Sequence, residues 1–249
     1  MTDPSHFDGV ADTYAESRPP YPRELWRAVL ATSLVGPGRR ALDLGAGTGQ
    51  ATGELLSQGM DVVAVEPGAH LAAILNERHP GAVVHRCRAE DIRPKPASID
   101  LAVAATSVHW LDLDVVLPIV HRSLAEGGRF AVWRNVFGDA EAPVTPFRQV
   151  VHRIVADRRS TRAGNPEDRA ATAEELTRSG LFSIDAVHYY RWTLEQTAGQ
   201  IHALFSTFSD WTPSEVDEAA TAVTSLGGLV TEYYSSWLIT LKPVARAVR

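Results

Sequence analysis

An apolar run that closes on a carboxylate and then on three glycines, Ala41-Leu-Asp-Leu-Gly-Ala-Gly-Thr-Gly-Gln50, is the feature that most restricts how this chain can fold. A second apolar run, Val62-Val-Ala-Val-Glu66, follows and also ends on an acid. Glycines at 45, 47 and 49 let the backbone turn tightly where a side chain would collide with a ligand. A helix starting directly after such a turn presents its first amides to that ligand. Strand, glycine turn, helix, strand and acid together form the nucleoside-binding edge of an α/β protein.

The spacing separates two kinds of ligand. A dinucleotide fingerprint reads Gly-x-Gly-x-x-Gly. Counting from Gly45, the sixth position here is Gln50, so the pattern is Gly-x-Gly-x-Gly. Asp43 stands two residues before the first glycine. A carboxylate aimed into the loop repels a pyrophosphate and attracts a ligand that carries an ammonium and a sulfonium, such as S-adenosylmethionine (SAM). Glu66 is placed to accept hydrogen bonds from both ribose hydroxyls. Two alternatives stay open: a nicotinamide-dependent oxidoreductase, against which Gln50 and Asp43 speak, and a non-catalytic SAM-binding protein.

Alternating elements run through the first half of the chain. Strands are expected at Arg40–Leu44, Asp61–Glu66, Ala82–Arg86, Ile99–Ala104 and Arg129–Trp133, the last after a stop at Gly127-Gly128. Helices are expected at Gln50–Ser57, Ala69–Arg78 and Val115–Leu124. Such alternation predicts a parallel sheet with helices on both faces. From Gly138 the pattern changes, with Pro143, Pro146, Gly164 and Pro166 punctuating a polar, Arg-rich region. Ser183–Trp192 and Leu229–Leu241 read as long strands, an antiparallel pair completing the sheet. Helices near 196–206 and 214–225 lie between them.

Asp43-Leu-Gly-Ala-Gly-Thr-Gly49 with Glu66 resembles the first two motifs of the class I SAM-dependent methyltransferases. Three further stretches resemble the small-molecule branch that includes trans-aconitate methyltransferase and the UbiE-like (type 11) enzymes. They are the segment Phe7 to Pro22, Ala89-Glu-Asp-Ile92 and Ser107-Val-His-Trp110. The resemblance implies a Rossmann-like α/β fold: a seven-stranded, mostly parallel sheet, an antiparallel last strand, helices on both faces and helical lid insertions. It implies one domain over 1–249, with a lid at 1–35, a cofactor-binding half at 36–137 and substrate-side insertions and terminal strands at 138–249. It implies SAM as methyl donor, S-adenosylhomocysteine (SAH) as product, and a small-molecule acceptor methylated on oxygen in preference to nitrogen or carbon.

The same resemblance distributes roles. Asp43 would hold the methionine ammonium. Gly45, Ala46, Gly47 and Gly49 would make room for the methionyl part. Glu66 and Pro67 would lie at the ribose, Ala89 and Glu90 at the adenine, and Ala105 at the end of the fourth strand. Arg88 departs from the small or acidic residue common before Ala89, so Glu90 or Asp91 would take over an adenine contact. Tyr14 and Arg18, four apart on one helix face, would meet the methionine carboxylate. Tyr21, His109, Trp110 and Asn135 would line the acceptor side, with Arg134 as a neighbour. His109, beyond a strand's carboxyl end, has a pKa suited to a general base and is equally suited to positioning the substrate.

Asp112 and Asp114 read as helix caps. Phe205, Phe208 and Trp211 read as core. Arg153, Arg158, Arg159 and Arg162 read as a solvated helix face that would favour a carboxylate substrate if it folded over the site. Composition excludes other classes. Hydrophobic residues make up 45% and charged residues 22% of the 249, so a packed core is expected. A net charge of −6 without a basic block argues against a nucleic-acid surface. One cysteine, Cys87, makes neither an internal disulfide nor a thiolate metal site, and no metal is expected. No signal pattern or membrane-length apolar run stands out, so a cytoplasmic location is expected.

Overall fold

The computed structural model describes residues 8, 9, 11–156 and 168–245. Among these, β1 (Arg40–Leu44), β2 (Asp61–Val65) and β4 (Ile99–Ala105) are mostly Ala, Val, Leu and Ile, with a single aspartate in each. They are apolar on both faces because helices cover both. With β3 (Val83–His85), β5 (Leu124–Phe137), β6 (Phe182–Thr197) and β7 (Leu229–Pro243) they form a seven-stranded sheet in the order β3-β2-β1-β4-β5-β7-β6. The pairs β1–β2, β1–β4, β2–β3 and β4–β5 are parallel. The sheet is mixed and mostly parallel, as the sequence predicts.

The helices are α1 (Ala11–Ser17), α2 (Arg23–Leu30), α3 (Gln50–Ser57), α4 (Ala69–Arg78), α5 (Leu113–Ser123), α6 (Pro146–Ala156), α7 (Arg169–Arg178), α8 (Ala198–Phe205) and α9 (Pro213–Ser225). Their starts have local causes. Asp112 caps α5 by accepting from the Asp114 N–H, which bears out the expected cap. Asp114 is in the first turn instead, paired with Arg178 at 3.5 Å. Thr197 with Gln200, and Thr212 with Glu215, make reciprocal capping boxes on α8 and α9.

Two expected boundaries move by five residues. Strand β5 starts at Leu124 and runs through Gly127-Gly128 rather than beginning at Arg129. Gly127, at φ +77°, absorbs the irregularity seen as a register shift opposite Ile99 and Leu101. Strand β6 continues to Thr197, because Trp192 and Leu194 still have an apolar core to pack on.

The chain divides into two compact, interleaved units. The sheet unit comprises Tyr21–Asn135, Asn165–Tyr190 and Ser236–Arg249. Its core includes Leu25, Leu55, Leu101, Val103, Trp133 and Leu238. The aromatic unit comprises Met1–Pro20, Val136–Gly164 and Arg191–Ser235. Its core gathers Phe147, Ile201, Leu204, Phe205 and Tyr234, with Phe137, Phe208 and Trp211 against them, so the expected core reading of Phe205, Phe208 and Trp211 holds. Arg148 lies over the Phe137 ring at 4.2 Å and donates to Glu232, whose side chain is 1% exposed. No described helix is long and apolar enough to cross a membrane.

Removing one partner of a buried ion pair strands the other charge. Arg148→Ala is expected to lower the unfolding free energy by roughly 3–5 kcal/mol, read by urea unfolding. A loss under about 1 kcal/mol, the range of an exposed pair, would show that Glu232 is not dependent on this partner.

Candidate active site

Parallel register brings the carboxyl ends of β2, β1 and β4 side by side, with Leu44 opposite Val65, Asp43 opposite Val103 and Ala105 opposite Trp133. Glu66, Gly45 and Thr106 therefore emerge along one edge of the sheet. That edge is where open parallel sheets hold ligands.

Asp43 is wholly buried in β1. Its Oδ2 accepts from the Thr52 hydroxyl of α3 at 2.7 Å. Its Oδ1 is buried and has no hydrogen-bond partner among the described residues. Burial lifts this carboxyl from its ordinary 3.8 to about 6; the Thr52 hydroxyl opposes the shift and the Glu66 charge adds to it. A buried acceptor left unsatisfied costs free energy, and more when charged. A ligand ammonium supplies the missing donor and the opposite charge.

The glycines take left-handed φ values of +67° at Gly45, +58° at Gly47 and +90° at Gly49. A Cβ on Gly45 would lie 2.6 Å from Ser107 Cβ, so only glycine lets β1 and the β4 end approach here. Four of the loop amides are already engaged. Gly45 and Ala46 N–H donate to Val65 O, at 2.9 and 3.0 Å. Gly47 N–H donates to Glu66 Oε2 at 2.9 Å, and Gly49 N–H to Ala46 O at 3.0 Å. A pyrophosphate would need such amides free and would face a carboxylate, so the donor set fits a cationic amino-acid group and not a dinucleotide phosphate.

Glu66 is 6% exposed, with Oε1 accepting from Gly68 N–H at 2.8 Å across Pro67. With Gly47 N–H on Oε2, this carboxylate ties the glycine loop to the start of α4. Ala89, buried, opens a 3-10 turn over Ala89–Asp91. Glu90 is more occupied than the sequence suggests. Its Oε1 accepts from Asp112 N–H at 2.8 Å and its Oε2 from Arg88 Nε at 3.2 Å. Burial pulls its pKa up, but these hydrogen bonds and Arg88 outweigh it and hold the carboxyl below its ordinary value. Glu90 thus ties this turn to the start of α5, and Arg88 serves Glu90.

His109 and Trp110 lie on a 3-10 turn beyond β4, ring centroids 4.7 Å apart. Arg134 Nη1 lies 2.9 Å from His109 Nδ1. A guanidinium only donates, so Nδ1 is the acceptor and the neutral ring carries its proton on Nε2. Asn135 Oδ1 accepts from Ser236 Oγ at 2.7 Å. Tyr21 packs its ring edge-on against Trp133, at 5.8 Å between centroids, and its hydroxyl pairs with Thr106 Oγ1 at 3.0 Å. Tyr14 and Arg18 belong to the aromatic unit. Arg18 falls one residue beyond the end of α1, so the two do not share a helix face; its guanidinium lies over the Tyr14 ring at 4.8 Å and donates to Thr207 O at 3.1 Å. Arg153 pairs with Glu218 at 3.0 Å on the surface. Arg158, Arg159 and Arg162 lie outside the described residues. No described group of three His, Cys, Asp or Glu side chains is arranged to hold a metal ion.

Three features of this edge go beyond the sequence reading. Thr52, a polar residue on the buried face of α3 beside Ala51 and Leu55, could have been found from that position. Thr106 sits at φ +60°, a left-handed conformation that costs a β-branched residue about 1–2 kcal/mol. The Thr106 N–H bond to Trp133 O, at 2.8 Å, and the Tyr21 hydroxyl hold it there. Ser107 Oγ donates to Leu44 O at 2.5 Å, buried.

Comparison with known proteins agrees with this chemistry. Residues 42–132 match a family described as a methyltransferase domain. Rv3342 of Mycobacterium tuberculosis, named an uncharacterized methyltransferase, is 38% identical over 184 residues, 74% of this chain and 70% of that protein. Demethylmenaquinone methyltransferase of Mycobacterium marinum is 27% identical over 201 residues, 72% of this chain and 85% of that protein. A structure from Anaeromyxobacter dehalogenans, provisionally described as a type II methyltransferase, shares the fold at TM-score 0.67 and 22% identity, over 90% of this chain and 96% of that one.

The Asp43 carboxyl gives a pH test. In the free protein, ionising it in the folded state is unfavourable, so the stability it costs at neutral pH is recovered as the pH falls through about 6. Binding an ammonium runs the other way, because the ligand needs the carboxylate. SAH affinity is expected to fall as the pH drops below about 6. Asp43→Asn should bind weakly and lose this dependence. Calorimetric titration at about pH 5 and about pH 7.5 reads both; a wild-type affinity that does not change across this interval would contradict the assignment.

Proposed function

The chain belongs to the SAM-dependent methyltransferases, and we propose that it moves the methyl group onto a carboxylate oxygen of a small molecule. The observation that carries the oxygen assignment is the Arg134–His109 pair. It places a guanidinium near the end of β4 and uses His109 Nδ1 as an acceptor, so that nitrogen does not take a proton from a substrate. Such a pair suits an acceptor that is anionic and needs no deprotonation.

When bound, SAM supplies a methyl carbon activated by a positively charged sulfur. Asp43 binds the ammonium through Oδ1, and Glu66 receives the ribose hydroxyls. Gly45, Ala46, Gly47 and Gly49 leave space for the methionyl chain, and Ala89, with the backbone of Glu90, flanks the base. Pro67 follows Glu66 at the ribose side, and Ala105 ends β4. Trp110 offers an electron-rich face to a sulfonium. Arg134 and His109 orient the acceptor, with Asn135 alongside. Thr106 fixes the path of the chain between them, and Tyr21 fixes Thr106.

In the transfer, the acceptor oxygen forms a bond to the methyl carbon as the carbon–sulfur bond breaks. The electron pair stays on sulfur, leaving SAH. No proton moves when the acceptor is a carboxylate. Most of the acceleration then comes from alignment, which supplies roughly 7–11 kcal/mol in well-oriented systems.

The test is a panel of carboxylic acids, phenols, amines and carbon acids incubated with methyl-labelled SAM, with products analysed by mass spectrometry. Methyl esters are expected; a product methylated only on nitrogen or carbon would overturn the oxygen assignment. With the acceptor in hand, His109→Gln, which retains a donor, is expected to keep turnover within about tenfold. Removing a general base instead costs about 100-fold or more. Arg134→Met should raise the acceptor KM with little change in the SAM KM.

A further inference from the structure

Gly49 and Gly53 are four residues apart and open one face of the first turn of α3. The imidazole of His79, the residue that ends α4, fills both gaps. A Cβ on Gly49 would lie 2.5 Å from His79 Cδ2, and a Cβ on Gly53 would lie 2.4 Å from His79 Cε1. The ring therefore spans the two glycines edge to edge. Its backbone is anchored on both sides, since His79 N–H donates to Leu75 O at 2.9 Å and His79 O accepts from Ala82 N–H at 3.0 Å.

We infer that His79 is a positioning residue for the cofactor loop, a fixed wedge that holds the left-handed turn at Gly49 and the first turn of α3 in the geometry that receives SAM. The inference rests on the reading that this loop binds SAM. Its physical basis is what Gly49 lacks. At φ +90° Gly49 both ends the loop and begins α3, and it has no side chain of its own to hold it. A glycine there is free to visit many other conformations. The ring, packed against Gly49 and Gly53, restricts that freedom from outside. Thr52 lies between the two glycines and donates to Asp43. A shift of this turn therefore moves the hydroxyl that orients Asp43, and with it the oxygen offered to the ligand. Burial, with Arg78 adding to it, keeps the imidazole pKa below its ordinary value, so the wedge is neutral at pH 7 beside a helix N-terminus that disfavours a cation.

The experiment is SAH titration calorimetry on the full chain, at a temperature well below melting, for wild type, His79→Ala, Gly53→Ala and the double variant. Each single change is expected to weaken SAH by about tenfold, the first by emptying the wedge site and the second by pushing the ring out. The double variant is expected to bind more tightly than either single, because the new methyl group enters space the ring has left. Single variants that bind like wild type, even with a lowered Tm, would overturn the inference and make His79 purely structural. Losses that simply add in the double variant would overturn it as well. If His79→Ala does not fold, Gly53→Ala alone decides, and an unchanged Kd overturns the inference. A wild-type protein that does not bind SAH would instead overturn the reading of the loop itself.

Discussion

A carboxylate buried completely and satisfied on one side only is the constraint around which the sheet edge is built. Asp43 spends Oδ2 on the Thr52 hydroxyl, which fastens β1 to α3 across the glycine loop. Oδ1 is left buried with no partner among the described residues. Burying an ionised group in this way is unfavourable, and folding alone gains nothing from it. A ligand that brings a donor and a positive charge would satisfy that oxygen. The pKa near 6 has the same cause: burial disfavours the charged form of this carboxyl.

The loop and the second acid are consistent with that demand. Glu66 organises the loop from outside, taking Gly47 N–H on one oxygen and Gly68 N–H on the other. The amides that would cradle a phosphate are turned inward to Val65, Ala46 and Glu66. A dinucleotide site and this site begin from the same strand–turn–helix unit. They diverge in where the N–H groups point and in whether the strand ends on a carboxylate. Along the rest of the edge lie Thr106, held in a left-handed conformation, and the Arg134–His109 pair, which the proposed function assigns to the acceptor side.

The cofactor half was legible in the sequence because its chemistry is local. Asp43, Gly45, Gly47, Gly49 and Glu66 lie within one strand–helix–strand unit, and the spacing of a turn and the alternation of apolar runs report on it directly. Helices α3 and α4 and strand β1 fall where the periodicity puts them. What the sequence did not reveal depends on contacts between distant segments. Thr52 to Asp43 could be read from a polar residue on a buried helix face. By contrast, no local pattern joins Arg134 to His109, Tyr21 to Thr106, or His79 to two glycines on another helix. Glu90 is the instructive case. Its acidity suggested a ligand contact, but the fold uses both of its oxygens to anchor a turn.

The central claim is that the open oxygen of Asp43 receives the ligand's ammonium. A crystal structure of the protein with SAH tests it most directly. The amino group is predicted within hydrogen-bond distance of Asp43 Oδ1, with the ribose hydroxyls on Glu66 and the Thr52–Asp43 bond intact. SAH bound with its ammonium away from Asp43, or with the ribose away from Glu66, would contradict it.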